Sequence, residues 1–162
     1  MADLLSHVLL AFAAFTAVGW VISWLDRRWV TVGMVGSVVP DLNRIDLLAD
    51  DYFIEQFLGV SFDWGAIHTL GGVIVVSAAG AVLFSTRRQQ VRVFCLLVAG
   101  GCSHLFVDGL KAWADGSNGA YLYPFSWWRN PTPGWYVSAD KWVLILSLVL
   151  ASGILLVDKL AT

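Results

Sequence analysis

The sequence predicts an all-α fold, a polytopic membrane helix bundle of four long transmembrane helices plus one short half-helix, forming a single integral membrane domain over residues 1–162. Three observations carry that reading. Hydrophobic residues make up 58% of the chain and charged residues only 14%, against about 45–50% and about 25% in an ordinary soluble domain. The apolar residues gather in long runs broken by short charged clusters, as a bilayer core about 30 Å thick demands. The nine tryptophans suit the membrane interface, where the ring is buried and its N–H stays wet. The net charge of −2 gives nucleic acid no electrostatic foothold.

The first run, Leu4 to Leu25, reads as a retained transmembrane helix. A secretory leader would open with Lys or Arg and carry a shorter apolar core, whereas this chain opens with Asp3. Asp26, Arg27 and Arg28 close it. Val30 to Val39 is apolar but too short to span, so it reads as a half-helix or re-entrant segment, ending at Pro40 and delivering Asp41. From Asp46 to Asp63 the chain is mixed, with a short amphipathic interfacial helix expected over Tyr52 to Leu58. His68 opens the next run, Leu70 to Phe84, whose Gly and Ala suit close helix packing in lipid. Val91 to Trp113 is a further spanning run and Trp142 to Val157 the last. Between them, Asp115 to Ala139 is a long loop rich in Trp, Pro and Gly, expected to lie as a lid on the membrane surface. Cys95 and Cys102 lie seven apart on one expected helix, their Cα atoms about 10 Å apart, too far for a disulfide. They read as packing residues.

Within the Val91 run stands His104-Leu-Phe-Val-Asp108. Residues four apart share a helix face, so imidazole and carboxylate point the same way. An acidic side chain within a membrane helix is expensive and marks a functional site by default. Basic residues flanking helices stay in the cytoplasm. Arg27 and Arg28, then Arg87, Arg88 and Arg92, therefore put their helix ends inside, and Lys159 agrees. The opposite ends carry His7, Asp41, Asp63, His68, His104 and Asp108. All three histidines of the chain and the nearest carboxylates thus fall on the extracytoplasmic side at similar depth. Neither composition nor periodicity requires that. A His/Asp set of this kind suits Zn²⁺ first, with Mn²⁺ or Mg²⁺ as alternatives, and more than four ligands leave room for two ions. Such an ion activates water and polarises a phosphoryl or carbonyl oxygen. Arg44, Lys111 and Arg129 are near the same side and are candidates to hold a phosphate, with interfacial snorkelling as the plain alternative.

Gly36-Ser-Val-Val-Pro-Asp41, Gly65-Ala-Ile-His68-Thr69, His104-Leu-Phe-Val-Asp108 and Tyr123-Pro-Phe-Ser126, taken in order with His7, resemble the YdjM-like membrane-bound metal-dependent hydrolases over nearly the whole chain. More distantly the set is similar to zinc-dependent phospholipases C. The resemblance implies metal-assisted hydrolysis, with metal roles for His7, Asp41, His68, His104 and Asp108. The chain departs from the family at Asp63-Trp64-Gly65, where members often carry His-Arg-Gly. Asp63 keeps an oxygen ligand there and the Arg is lost.

The expected function is hydrolysis of a lipid or lipid-linked phosphoester at the extracytoplasmic face of the cell membrane. The expected catalytic residues are Asp41, Asp63 and His68, and the expected substrate contacts are Arg44, Lys111, Tyr123, Trp128 and Arg129. Membrane lipid is the expected partner, with the 115–139 loop open to a partner protein. Two other readings stand beside it. One is a small transporter that uses the His/Asp set as an ion path, although no internal repeat is visible. The other is a structural subunit whose set is only hydrogen-bonded.

Overall fold

The computed structural model describes residues 4–161; Asp3, used above to set aside a leader, lies outside them. The described residues form six α-helices and two 3₁₀ helices, with no strand among them. The α-helices are α1 (Leu4–Gly19), α2 (Arg27–Gly36), α3 (Asp51–Leu58), α4 (Leu70–Val82), α5 (Arg87–Gly109) and α6 (Lys141–Ala161). The 3₁₀ helices, Val39–Leu47 and Trp64–His68, flank α3.

Among the described residues two helices are long and apolar enough to cross a membrane: α5, with 23 residues and mean hydropathy 1.5, and α6, with mean hydropathy 2.3. At 1.5 Å per residue they reach about 30–35 Å. The first and third runs of the sequence give shorter apolar helices, α1 and α4, of 16 and 13 residues. The Leu4–Leu25 run breaks at Gly19 because the chain folds back there: a Cβ on Gly19 would stand 2.6 Å from the Leu25 carbonyl oxygen. The half-helix is α2. Asp26 starts it by accepting from the amides of Arg28 (2.9 Å) and Trp29 (3.3 Å), an N-cap that satisfies otherwise orphaned donors. The expected interfacial helix is α3, capped by Asp50 and closed by Gly59 at φ 67°. Thr86 caps α5 at Gln89, so that helix begins before Val91, and it ends at Gly109, short of Trp113. Cys95 and Cys102 are free and exposed on α5, so the expectation that they pack inside is corrected: they lie on the helix surface away from its buried stripe.

Helices α1 and α6 pack together, α4 packs on α5, and α2 wedges between α1 and α5. The basic end is tied by Arg27 and the indole of Trp20, both donating to Asp158 at 3.1 and 3.3 Å, and by Arg92 stacked over Trp24 at 4.5 Å. The contact of α2 with α5 is made of glycine. A Cβ on Gly36 would meet Leu97 Cα at 2.7 Å, and one on Gly100 would meet the Ser37 amide nitrogen at 2.7 Å, so only bare backbones fit. That approach sets the geometry at the other end of the bundle.

The 115–139 segment is not a free loop. Trp135 N–H donates to Leu110 O (2.9 Å), Ala112 N–H to Tyr136 O (2.7 Å) and Asn118 N–H to Asn130 O (3.0 Å). The Tyr136 hydroxyl reaches back to Val107 O at 2.8 Å. Trp127 and Trp128 stay exposed, at 77% and 58%.

Candidate metal centre

Five side chains meet at the end of the bundle opposite the Arg27–Asp158 pair. His7 comes from the start of α1, Asp41 from the 3₁₀ helix behind Pro40, His68 from the last residue of the second 3₁₀ helix, and His104 and Asp108 from one face of α5. Asp108 is central. Its Oδ1 lies 3.4 Å from His7 Nε2, and its Oδ2 lies 3.3 Å from His68 Nε2 and 3.5 Å from His104 Nε2. Asp41 Oδ1 is 3.9 Å from His104 Nε2. The rings of His7 and His104 stack at 3.8 Å. His7, His104 and Asp108 are all at most 1% exposed, and Asp41 is 5% exposed.

Backbone carbonyls set the tautomers. His104 Nδ1 sits 2.8 Å from Ser37 O, and His68 Nδ1 sits 3.2 Å from Pro40 O. A carbonyl only accepts, so each Nδ1 carries the proton and each Nε2 presents a lone pair inward. Ser37 O is delivered by the glycine contact of α2 with α5.

The centre is consequently rich in acceptors: one nitrogen of each neutral imidazole and the carboxylate oxygens, with the second nitrogen of His7 bearing its proton. His104 Nε2, both nitrogens of His7, and both oxygens of Asp41 and of Asp108 are buried without a hydrogen-bond partner. Buried polar atoms rarely stay unsatisfied, and each costs about 1–3 kcal/mol. A cation at the centre relieves the lone pairs that face it. The spacing fits: two ligands each about 2.0–2.1 Å from a tetrahedral Zn²⁺ lie about 3.3 Å apart, close to the 3.3–3.5 Å separations around Asp108. Two sets of three have ligand atoms within 4.8 Å of one another: His7, His104 and Asp108, and Asp41, His68 and His104.

The family model described as YdjM inner membrane protein matches residues 1–161. The chain belongs to the YdjM inner membrane protein family. No curated protein and no solved structure matches it. The family places this YdjM protein in the inner membrane, in keeping with the two long apolar helices α5 and α6.

Asp63 does not join the five. It is exposed and caps the Trp64–His68 helix, its Oδ1 accepting from Gly65 N–H at 2.6 Å, which places it outside the cluster as a helix cap. Of the expected substrate contacts, Arg44 alone stands beside the centre, its Nε 3.6 Å from Asp41 Oδ1. Lys111 is buried with its ammonium 4.2 Å above the Trp113 ring. Arg129 bonds Asp115 at 2.6 Å and Asn118 O at 3.0 Å, and that bond holds the exposed Asp115 carboxyl below its usual range. Tyr123 packs on Trp127, with ring centroids 4.6 Å apart, and Trp128 points to solvent or lipid with its amide on Ser126 Oγ.

Nothing in the sequence singles out Tyr121. The Leu70 amide donates to Tyr121 O at 2.7 Å and the Gly71 amide to Tyr123 O at 2.8 Å, which pins this stretch against the start of α4. The Tyr121 ring stands 5.5 Å from His68, and its hydroxyl is buried without a partner. Burial and the charge of Asp108 push that hydroxyl's pKa up, so it remains a proton-bearing donor. Its neighbours in sequence, Ala120 and Leu122, carry no chemistry, so a tyrosine here looks like ordinary loop filling.

Proposed function

We propose that the protein is a membrane-embedded metal-dependent hydrolase that cleaves a lipid or lipid-linked phosphoester at the extracytoplasmic face. One observation carries this reading: His7, Asp41, His104 and Asp108 bury side-chain nitrogen and oxygen atoms without hydrogen-bond partners, and together with His68 they form two overlapping sets of potential ligands that share His104. A merely hydrogen-bonded structural cluster would alternate donors with acceptors.

Zn²⁺ is the ion best matched to this nitrogen-rich set. His7, His68, His104 and Asp108 would hold it, with Asp41 beside them. His104 belongs to both three-residue sets but has only Nε2 to offer, since Nδ1 is engaged by Ser37 O. That favours one shared centre over two independent ones. When bound, the ion supplies water activation near neutral pH and polarisation of a phosphoryl oxygen. The chain's own groups supply the rest. Asp41, with Oδ2 unpartnered, accepts the proton that the attacking water loses. Arg44, half-exposed beside Asp41, offers a guanidinium fork to a phosphate. Tyr121 donates its O–H to a substrate oxygen. The apolar α1, α4 and α5 keep bulk water from the centre, which strengthens each of these interactions.

Arg27, Arg28, Arg87, Arg88 and Arg92 at the other end of the bundle support the extracytoplasmic placement. In this reading α1 and α4 cross the bilayer together with α5 and α6.

The test is phosphate-ester release from phospholipid vesicles by purified protein loaded with Zn²⁺, with His68→Ala as the comparison. Metal-dependent cleavage lost in His68→Ala supports the reading. A metal-loaded wild type inert toward phospholipids and toward bis-p-nitrophenyl phosphate would remove it.

A further inference from the structure

Beside the metal centre, a cleft of about 390 Å³ runs between α5 and the loop that follows it. Cys102, Leu105, Phe106, Gly109, Tyr121 and Leu122 define its shape. On α5, Cys102 and Phe106 are one turn apart and lie on a different side of the helix from His104 and Asp108. Both are exposed, Phe106 at 69%, on a helix long and apolar enough to cross a membrane. The cleft therefore opens sideways into hydrocarbon rather than upward into water.

Its two ends differ. The Cys102 end is apolar. The far end is roofed by Asn118, buried at 1% exposure, whose Oδ1 accepts from the Asn130 amide at 3.0 Å. The inner wall is Tyr121, which the cleft shares with the metal centre through its contact with His68. From Cys102 to Leu110 the cleft follows eight residues of helix, about 12 Å. One leaflet of a hydrocarbon core about 30 Å thick is about 15 Å deep. The slot thus has the depth of one leaflet, is open to lipid, and is polar only at its outer end.

We propose that this cleft is an acyl-chain subsite: one chain of an outer-leaflet phospholipid lies along Cys102, Phe106 and Leu122, with the polar linkage where chain meets headgroup at the Asn118 end. The proposal rests on the hydrolase reading for its purpose but not for its physics. It makes the substrate enter laterally from the bilayer, so the chain selects membrane lipid over a water-soluble phosphoester before any chemistry occurs.

The test is native mass spectrometry of the full-length, zinc-loaded protein in mild detergent, titrated with dipalmitoyl phosphatidylglycerol, with metal content read in the same spectra. The wild type is expected to retain one lipid per chain. Cys102→Trp, which fills the slot from the helix side, is expected to weaken retention at least tenfold while keeping its zinc. Leu122→Trp fills the slot from the loop side and does the same should the helix variant fail to fold. Equal retention by wild type and both tryptophan variants overturns the subsite, as does a wild type that holds no lipid. A dimer that the tryptophan variants abolish, seen in place of bound lipid, overturns it too, because the occupant is then a second copy of the chain. Hydrolysis is scored separately. Cleavage of bis-p-nitrophenyl phosphate with lipid retention unaffected by the fillings removes the subsite and leaves the hydrolase reading standing. Specific lipid retention with no cleavage of any phosphoester does the reverse.

Discussion

Replacing Gly100 by alanine tests whether the backbone contact between α2 and α5 governs the metal centre from a distance. The added Cβ would lie 2.7 Å from both Gly36 C and Ser37 N, where ordinary contact begins at 3.4 Å. The atoms it meets, Gly33 O closest of all, are backbone, so no side chain can swing aside, and α2 must retreat by at least about 0.7 Å. Ser37 O moves with it. Its 2.8 Å bond to His104 Nδ1 then stretches to about 3.5 Å, beyond the useful range of an N–H···O bond. Overpacking of this kind costs about 1–3 kcal/mol of stability. Losing the bond that orients a ligating histidine typically lowers metal affinity about 10–100-fold. The assay is zinc affinity by chelator competition alongside the thermal unfolding midpoint, with Gly153→Ala on α6 as the control, since a Cβ there meets nothing within 4 Å. A Gly100→Ala protein that binds zinc as tightly as wild type, with Gly153→Ala also unchanged, would refute the link from helix packing to imidazole orientation.

Other expectations follow from the same geometry. Asp108→Asn keeps the size of the side chain but removes the charge that faces three Nε2 atoms, so stoichiometric zinc should be lost while helix content by circular dichroism stays near wild type. Asp63→Asn should retain zinc and lose at most about 1 kcal/mol, because its carboxylate only caps a short 3₁₀ helix. Asp26→Ala should lower stability by about 1 kcal/mol through loss of the α2 cap, without changing zinc content. Asp115 has a folded pKa held below its ordinary value of 3.8 by Arg129. Its contribution to the loop is therefore fully present above that ordinary value and is lost as pH falls below it through the depressed one. Proteolytic protection of the 115–132 segment should be flat from neutrality to about pH 4 and fall only in stronger acid; a loss of protection between pH 5 and 7 would contradict this.

The legible features of the chain were those written in chemistry that lipid makes costly. His104 and Asp108 four apart on an apolar helix, and basic clusters at the opposite helix ends, are enough to predict that scarce polar groups share one end of the bundle, and the structure puts His7, Asp41, His68, His104 and Asp108 together there. Helix extent was less legible. Hydropathy carries Leu4 to Leu25 as one run, but the fold-back at Gly19 is a backbone event that side-chain polarity does not announce. Asp63 was misplaced because a cap and a ligand are both an aspartate beside a helix start; only the 2.6 Å bond to Gly65 N–H tells them apart. Lys111 and Arg129 looked available for phosphate because local partners, the Trp113 ring and Asp115, are invisible as partners until the loop folds on itself. Tyr121 and Ser37 were missed for a related reason: one acts through position, the other through a main-chain carbonyl that every residue carries.

The most direct measurement is metal content, by elemental analysis, of detergent-purified wild type beside Asp108→Asn and His104→Ala. One zinc or equivalent divalent ion per chain in the wild type, absent from both folded variants, is the predicted result. A folded wild type that takes up no divalent ion, even after Zn²⁺ or Mn²⁺ is added back, would contradict it and leave the buried acceptors to be satisfied by protons alone.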